Sequence, residues 1–185
     1  MSLDFGALWQ RAQTYDAFVA QSHTHCALWT GVYRLARVPA WALEQACAGG
    51  HPYRLLALAE DWCGDASSTL PYVAKLGDQA RCLELRVLRR DEHLDVMERY
   101  LTGSARSIPI VIVLDADWHE IGHWGPRPAA LQAWVMEARK TTPTAQLYPQ
   151  LRRWYARDHG LTTLREILAL LPQATPSVTP ARREQ

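Results

Sequence analysis

The chain has 185 residues and a net charge of +1, and its hydrophobic fraction of 48% is ordinary for a globular protein. That length suits one decorated domain with a sizeable core, and the near-neutral balance gives no reason to expect nucleic acid or an anionic membrane as partner. The start, Met-Ser-Leu-Asp-Phe, has no basic segment followed by a long apolar one, and no stretch approaches bilayer-spanning length, so the expected location is the cytoplasm. The four cysteines, Cys26, Cys47, Cys63 and Cys82, are too scattered for a disulfide scaffold or a zinc site, and in a cytosol they are expected as thiols.

Residues 4–20 place Phe5, Leu8, Trp9, Ala12, Tyr15 and Val19 at helical spacing, which predicts one amphipathic helix. A second helix is expected over residues 24–36, carrying Leu28, Trp29, Val32 and Leu35. A third opens near Pro39 and ends at Gly49-Gly50. These first fifty residues read as an all-helical extension. Tyr53 to Ala59 is an almost unbroken apolar run, suited to a strand buried on both faces of a parallel sheet. The composition then switches to Glu60-Asp61-Trp62-Cys63-Gly64-Asp65-Ala66, and a helical run follows that is broken by Pro71. Gly77-Asp78 marks a break, and Leu83 to Leu88 alternates like a strand nearer a sheet edge. Asp91 is placed to cap a helix that points Leu94, Met97 and Leu101 inward and stops at Gly103.

Ile110 to Leu114 is the next buried strand. Asp115 to Asp117 turns the chain, Trp118 to Trp124 returns antiparallel, and Pro128 opens a helix with Leu131, Trp134, Val135 and Ala138 on one face. Residues 144–171 give two more helices separated by Gly160. The first carries Leu147, Leu151, Trp154 and Tyr155. The second has Thr163 and Glu166 at capping-box spacing. From Pro172 the composition is that of a frayed tail.

Trp62, Cys63, Gly64 and Pro71 hold the spacing of a strand-to-helix segment in which a proline lies eight residues after a cysteine. Arg106-Ser107-Ile108-Pro109 precedes a buried strand, and Gly125 lies sixteen residues beyond that proline. Taken together these features resemble the active-site and cis-proline segments of the thioredoxin superfamily over roughly residues 51–141. Glu-Asp-Trp-Cys-Gly-Asp-Ala with Trp-Gly-Pro-Arg-Pro looks like a bacterial branch described only as "thioredoxin family protein". The resemblance implies an α/β, thioredoxin-like fold, a mixed sheet flanked by helices, with N- and C-terminal helical extensions. The expected organisation is an extension over residues 1–50, a core over 51–141, C-terminal helices over 142–171 and a tail over 172–185. It also implies a cis Ile108-Pro109 bond facing Cys63, and site walls from Trp62, Gly64, Asp65, Ser107, Ile108 and Pro109. The backbone of Ile108 would pair with a bound peptide or glutathione.

Two positions depart from the superfamily's usual Trp-Cys-Gly-Pro-Cys: Asp65 replaces the proline and Ala66 the second cysteine. Without that cysteine a mixed disulfide has no neighbour to resolve it. Cys82 is badly placed as a substitute, since strand length alone sets it roughly 20 Å from Cys63. Cys26 and Cys47 default to small buried apolar residues. A helix N-terminus favours the Cys63 thiolate by about 0.3–1 kcal/mol, or roughly one pKa unit at most exposures. Glu60, Asp61 and Asp65 oppose it. The balance predicts a thiol less acidic than one flanked by cations, with no pKa well below about 6.

Asp65 reads either as a proton acceptor or as a solvated first-turn carboxylate, and Arg127 either as an anion ligand or as a surface arginine. Ala57 stands where many thioredoxins bury an aspartate. No metal site is expected from His23-Thr24-His25-Cys26 or from His119 and His123.

Two readings therefore stand. One is monothiol exchange at Cys63 with a protein thiol or glutathione as partner, and no resident cofactor. The other is a redox-inactive binding module that uses the groove beside Pro109. An iron–sulfur role like that of monothiol glutaredoxins is disfavoured, because Asp65-Ala66 do not match their Phe-Ser.

Overall fold

In the computed structural model, residues 3–172 are described. Five strands form one mixed sheet in the order β1-β3-β2-β4-β5. The centre is built from the two most apolar runs, β2 (Tyr53–Ala59) and β4 (Ile110–Leu114), and β4 is buried at every position. A strand covered on both faces has no solvent side on which a polar residue would be favoured, so such runs are continuous rather than alternating. β2 pairs parallel with β3 (Leu83–Arg89) from Tyr53 opposite Leu83, and antiparallel with β4 through Ala57 opposite Val111. β5 (Glu120–Trp124) closes one side antiparallel to β4, with a register shift at Val113/Leu114.

The other side departs from expectation. Residues 4–20 form two short helices, α1 (Phe5–Arg11) and α2 (Tyr15–Ala20), joined by the two-residue strand β1 (Gln13–Thr14). β1 pairs antiparallel with Val87 and Arg86 of β3. Thr14 ends one role and begins the next: its hydroxyl accepts from Ala17 N–H and caps α2. Helical spacing was correct on both sides of the break, but the free edge of β3 takes the residues between. The N-terminal segment is therefore not all-helical. α3 (Cys26–Leu35) and α4 (Ala40–Cys47) follow the sequence expectation closely.

Pro71 does not end its helix. α5 runs from Gly64 to Gln79 with Pro71 inside it, and Gly77-Asp78 is not a break. Every residue from Ala66 to Ala74 is buried, and that packing offsets one missing backbone hydrogen bond. After β3 the expected helix shrinks to a 3₁₀ turn (Arg90–Glu92) and α6 (Leu94–Met97). Val96 and Met97 are buried, whereas Leu94 and Leu101 stay 40% and 37% exposed. Asp91 is not the cap; its N–H donates to Glu60 Oε1 at 2.8 Å.

α7 (Ala129–Ala138) buries Leu131 and Val135, with Trp134 partly exposed. α8 (Thr144–Asp158) and α9 (Leu161–Leu168) meet at Gly160. The capping box at Thr163 does not form. Asp158 accepts from Thr162 N–H instead, and Glu166 accepts from Trp124 Nε1 at 2.7 Å and from Ala129 N–H.

One main core joins the sheet to α1–α6 and α9. A separate small one joins Leu131 and Val135 of α7 to Leu151 and Tyr155 of α8.

Cys47, at the end of α4, and Cys82, just before β3, are joined in a disulfide with Cα atoms 5.3 Å apart. This corrects the expectation of four thiols: spacing along the chain does not reveal that α4 ends beside the start of β3. Cys26 and Cys63 remain free, and Cys26 is exposed rather than buried. Among the described residues no helix is long and apolar enough to cross a membrane. The tail expected beyond Pro172 lies outside the described residues.

Candidate functional site

β2, the middle strand of the sheet, ends at Ala59, and the short turn that follows places Cys63 at the N-cap of α5. The sulfur accepts from Ala66 N–H at 3.4 Å, one of the helix's unpaired first-turn donors. The thiol donates to the Ile108 carbonyl at 3.3 Å. Ile108-Pro109 is cis, so the loop before β4 lies directly against the cysteine. Gly125 explains how the second loop reaches it. Its φ is +128°, Gly125-Pro126 is also cis, and a Cβ there would stand 2.1 Å from the Pro109 carbonyl oxygen.

Two residues on, Arg127 turns back into the site. Its guanidinium pairs with Asp65 and donates to Gln132 Oε1 at 2.8 Å. Tyr155 of α8 donates to the other Asp65 oxygen at 2.8 Å. Asp65 is therefore held by two partners, and Arg127 is not a surface arginine: the two side chains are only 13% and 10% exposed.

The thiol is less accessible than a helix start suggests. Cys63 is 7% exposed, its sulfur turned against the Ile108 carbonyl and the first turn of α5. Burial pushes its pKa up from 9.0 to about 11; the Asp65 carboxylate adds to the rise, while the Ala66 and Asp65 N–H groups and Arg127 oppose it. The direction agrees with the sequence argument, but the cause differs. Burial dominates, and Asp61 is engaged elsewhere, accepting from His23 and Thr24 N–H at 2.6 and 3.0 Å. Tyr155 is held protonated, chiefly by burial and then by Asp65, which fits its role as a donor.

The cavity over Cys63 measures about 570 Å³. Trp62, Gly64, Asp65, Ser107 and Ile108 all line it, so the structure gathers these candidates around one space. Pro109 is buried behind them. Trp62 stands 46% exposed, with the Arg90 guanidinium 5.0 Å from its ring centre.

The sequence did not reveal the roof: Leu147, Tyr148, Leu151 and Tyr155 of α8 also line the space, as do Arg139 and Arg152. The spacing of Leu147, Leu151 and Tyr155 gave a face, but nothing in it named what that face covers. Arg127 was reachable in principle, since it sits two residues past a glycine that must abut Pro109. A larger cavity of about 730 Å³ lies between α7 and α8, lined by Trp134, Trp154 and Arg153 among others; it holds no thiol and has no link to this chemistry.

Among the described residues no cluster of His, Cys, Asp and Glu is arranged to hold a metal ion. His119 and His123 are each taken up by a carboxylate, Asp115 and Glu120, at 3.2 and 3.1 Å.

The family model for thioredoxin matches residues 12–141. Among solved structures, a protein of unknown function from Pseudomonas aeruginosa superposes with a TM-score of 0.74 at 21% identity, covering 91% of this chain and 97% of that one. An HIV epitope-scaffold superposes with a TM-score of 0.72 at 19% identity, over the same 91% and 97%. At such identities the likeness speaks for the fold. No curated protein matches the chain.

Proposed function

Given that the chain belongs to the thioredoxin family, we propose that it is a single-cysteine member of it, of the Trp-Cys-Gly-Asp-Ala type, exchanging thiols and disulfides through Cys63. The observation that carries this is the placement of the sulfur: at the N-cap of α5, 3.3 Å from the carbonyl of a cis Ile108-Pro109 peptide, on the floor of a cavity.

The chemistry is a pair of displacements. The Cys63 thiolate attacks one sulfur of a disulfide, the S–S bond breaks, a Cys63 mixed disulfide forms, and the released thiolate takes up the proton that Cys63 lost. With alanine at position 66, where a second motif cysteine would stand, and Cys47 and Cys82 already bonded to each other, an external thiol completes the cycle by attacking the mixed disulfide. Glutathione or a protein thiol serves as partner, and no resident cofactor is required.

The test uses the whole protein and a neutral disulfide, 2,2′-dithiodipyridine. Because Cys26 is free and exposed, the reaction is run in Cys26→Ser. We expect release of one thione that disappears when Cys63→Ser is added, and a glutathione adduct located at Cys63 by mass spectrometry after treatment with oxidised glutathione. Absence of any Cys63-dependent release between pH 7 and about 10 defeats the reading.

Burial favours a second reading. A thiol pushed up to about 11 is roughly one part in ten thousand thiolate at neutral pH. If the cysteine is not turned over, the cavity beside Pro109 remains a binding groove, and the same failed release is what that reading predicts.

A further inference from the structure

The chain's charge is balanced, yet its guanidinium groups are not evenly spread. Five arginines line the Cys63 cavity: Arg90, Arg106, Arg127, Arg139 and Arg152 from separate segments of the chain, against Asp65 as the lining carboxylate. In a chain of net charge +1 this is a local concentration, not the reflection of a basic protein.

Three of the five are already partnered. Arg127 pairs with Asp65, Arg90 with Asp91 and Arg106 with Glu98. Those carboxylates are thereby committed, leaving the rim short of negative charge. The guanidinium groups of Arg139, at the C-cap of α7, and Arg152, midway along α8, have no hydrogen bond or ion pair among the described residues. Deeper in, Arg127 Nε is buried and lacks an acceptor, on a side chain nine-tenths removed from solvent. A buried donor without a partner carries a desolvation cost that a carboxylate oxygen would relieve. Around these cations the walls are apolar, from Leu28, Leu147 and Leu151.

We infer that the cavity selects a thiol carrying carboxylates: its apolar walls seat the body of the ligand, and Arg139 and Arg152 bind its negative groups. This rests on the thiol-exchange reading for the chemistry, but its recognition is testable without it. Both a small acidic thiol and a protein cysteine flanked by acidic residues present this chemistry, and the volume of about 570 Å³ admits either one small molecule or a few residues.

The experiment measures binding by fluorescence anisotropy on the full-length protein. The probes are two labelled pentapeptides with a central S-methylcysteine, one flanked by glutamates and one by lysines. The acidic peptide is expected to bind about tenfold tighter or better, to weaken as salt rises, and to lose most of that advantage in the Arg139→Gln, Arg152→Gln double variant. Both arginines are exposed and make no side-chain hydrogen bond or ion pair among the described residues that folding would lose, and circular dichroism checks this.

Equal affinities for the two peptides, or an advantage untouched by the double variant, overturn the inference. S-methylglutathione as competitor separates the sources: displacement of the acidic peptide identifies a small thiol as sufficient, and its failure to compete identifies the peptide. A failed 2,2′-dithiodipyridine reaction with charge selection intact defeats exchange alone, whereas exchange without charge selection defeats this inference alone.

Discussion

Asp65 controls the thiol more directly than any other side chain. It is the leading electrostatic cause, after burial, of the high Cys63 pKa, and Arg127 and Tyr155 fix it in place. Asp65→Asn removes the negative charge and keeps the shape. It should lower the Cys63 pKa and speed alkylation by iodoacetamide at pH 8 on the order of threefold to tenfold. An unchanged rate would show that Asp65 does not reach the sulfur electrostatically. The same shift links stability to pH. The folded state holds Cys63 protonated up to about 11, against 9.0 for an ordinary thiol. The stability this contributes is complete below about 9 and is lost as the pH rises toward about 11.

At the scale of elements, the site is a meeting of two loops and two helices, and Gly125 is where the loops touch. A Cβ at that position would strike the Pro109 carbonyl at 2.1 Å, on a backbone whose φ of +128° already disfavours side chains. Gly125→Ala should cost at least ~2 kcal/mol, read as a lowered urea midpoint, because backbone rather than a flexible side chain must give way. Gly31, inside α3 with nothing within 4 Å, is the contrasting case: Gly31→Ala should be neutral or stabilising by about 0.5–1 kcal/mol. The order Cys63, Pro109, Gly125 was legible in the sequence because each residue punctuates its own segment. β2 and β4 were legible for a similar reason, since their unbroken apolar runs report burial locally. β1 was not, because two residues have no periodicity and their pairing depends on the edge that β3 offers. Nor was the Arg127–Asp65 pair, which joins side chains 62 positions apart.

For the whole molecule, the Cys47–Cys82 bond is the largest departure from what spacing suggested. It closes a loop of 35 residues and ties the helical N-terminal region to the start of a sheet strand. Chain-entropy arguments put the stabilisation from such a loop at about 4 kcal/mol. Reduction, or Cys47→Ser, should lower the thermal midpoint accordingly. Titration of the denatured, unreduced protein should find two thiols, from Cys26 and Cys63; a count of four would remove the bond. The pairing was illegible because it depends on where α4 ends in space, a matter of packing rather than of pattern.

The small cluster of Leu131, Val135, Leu151 and Tyr155 stands apart from the main core, and it is this cluster that seats α8 above the cysteine. Floor and ceiling of the cavity are thus held by different sets of contacts. Substitutions along the ceiling can redraw what the sulfur encounters while the sheet keeps its own packing, so related chains are free to diversify in clientele without having to reinvent their architecture.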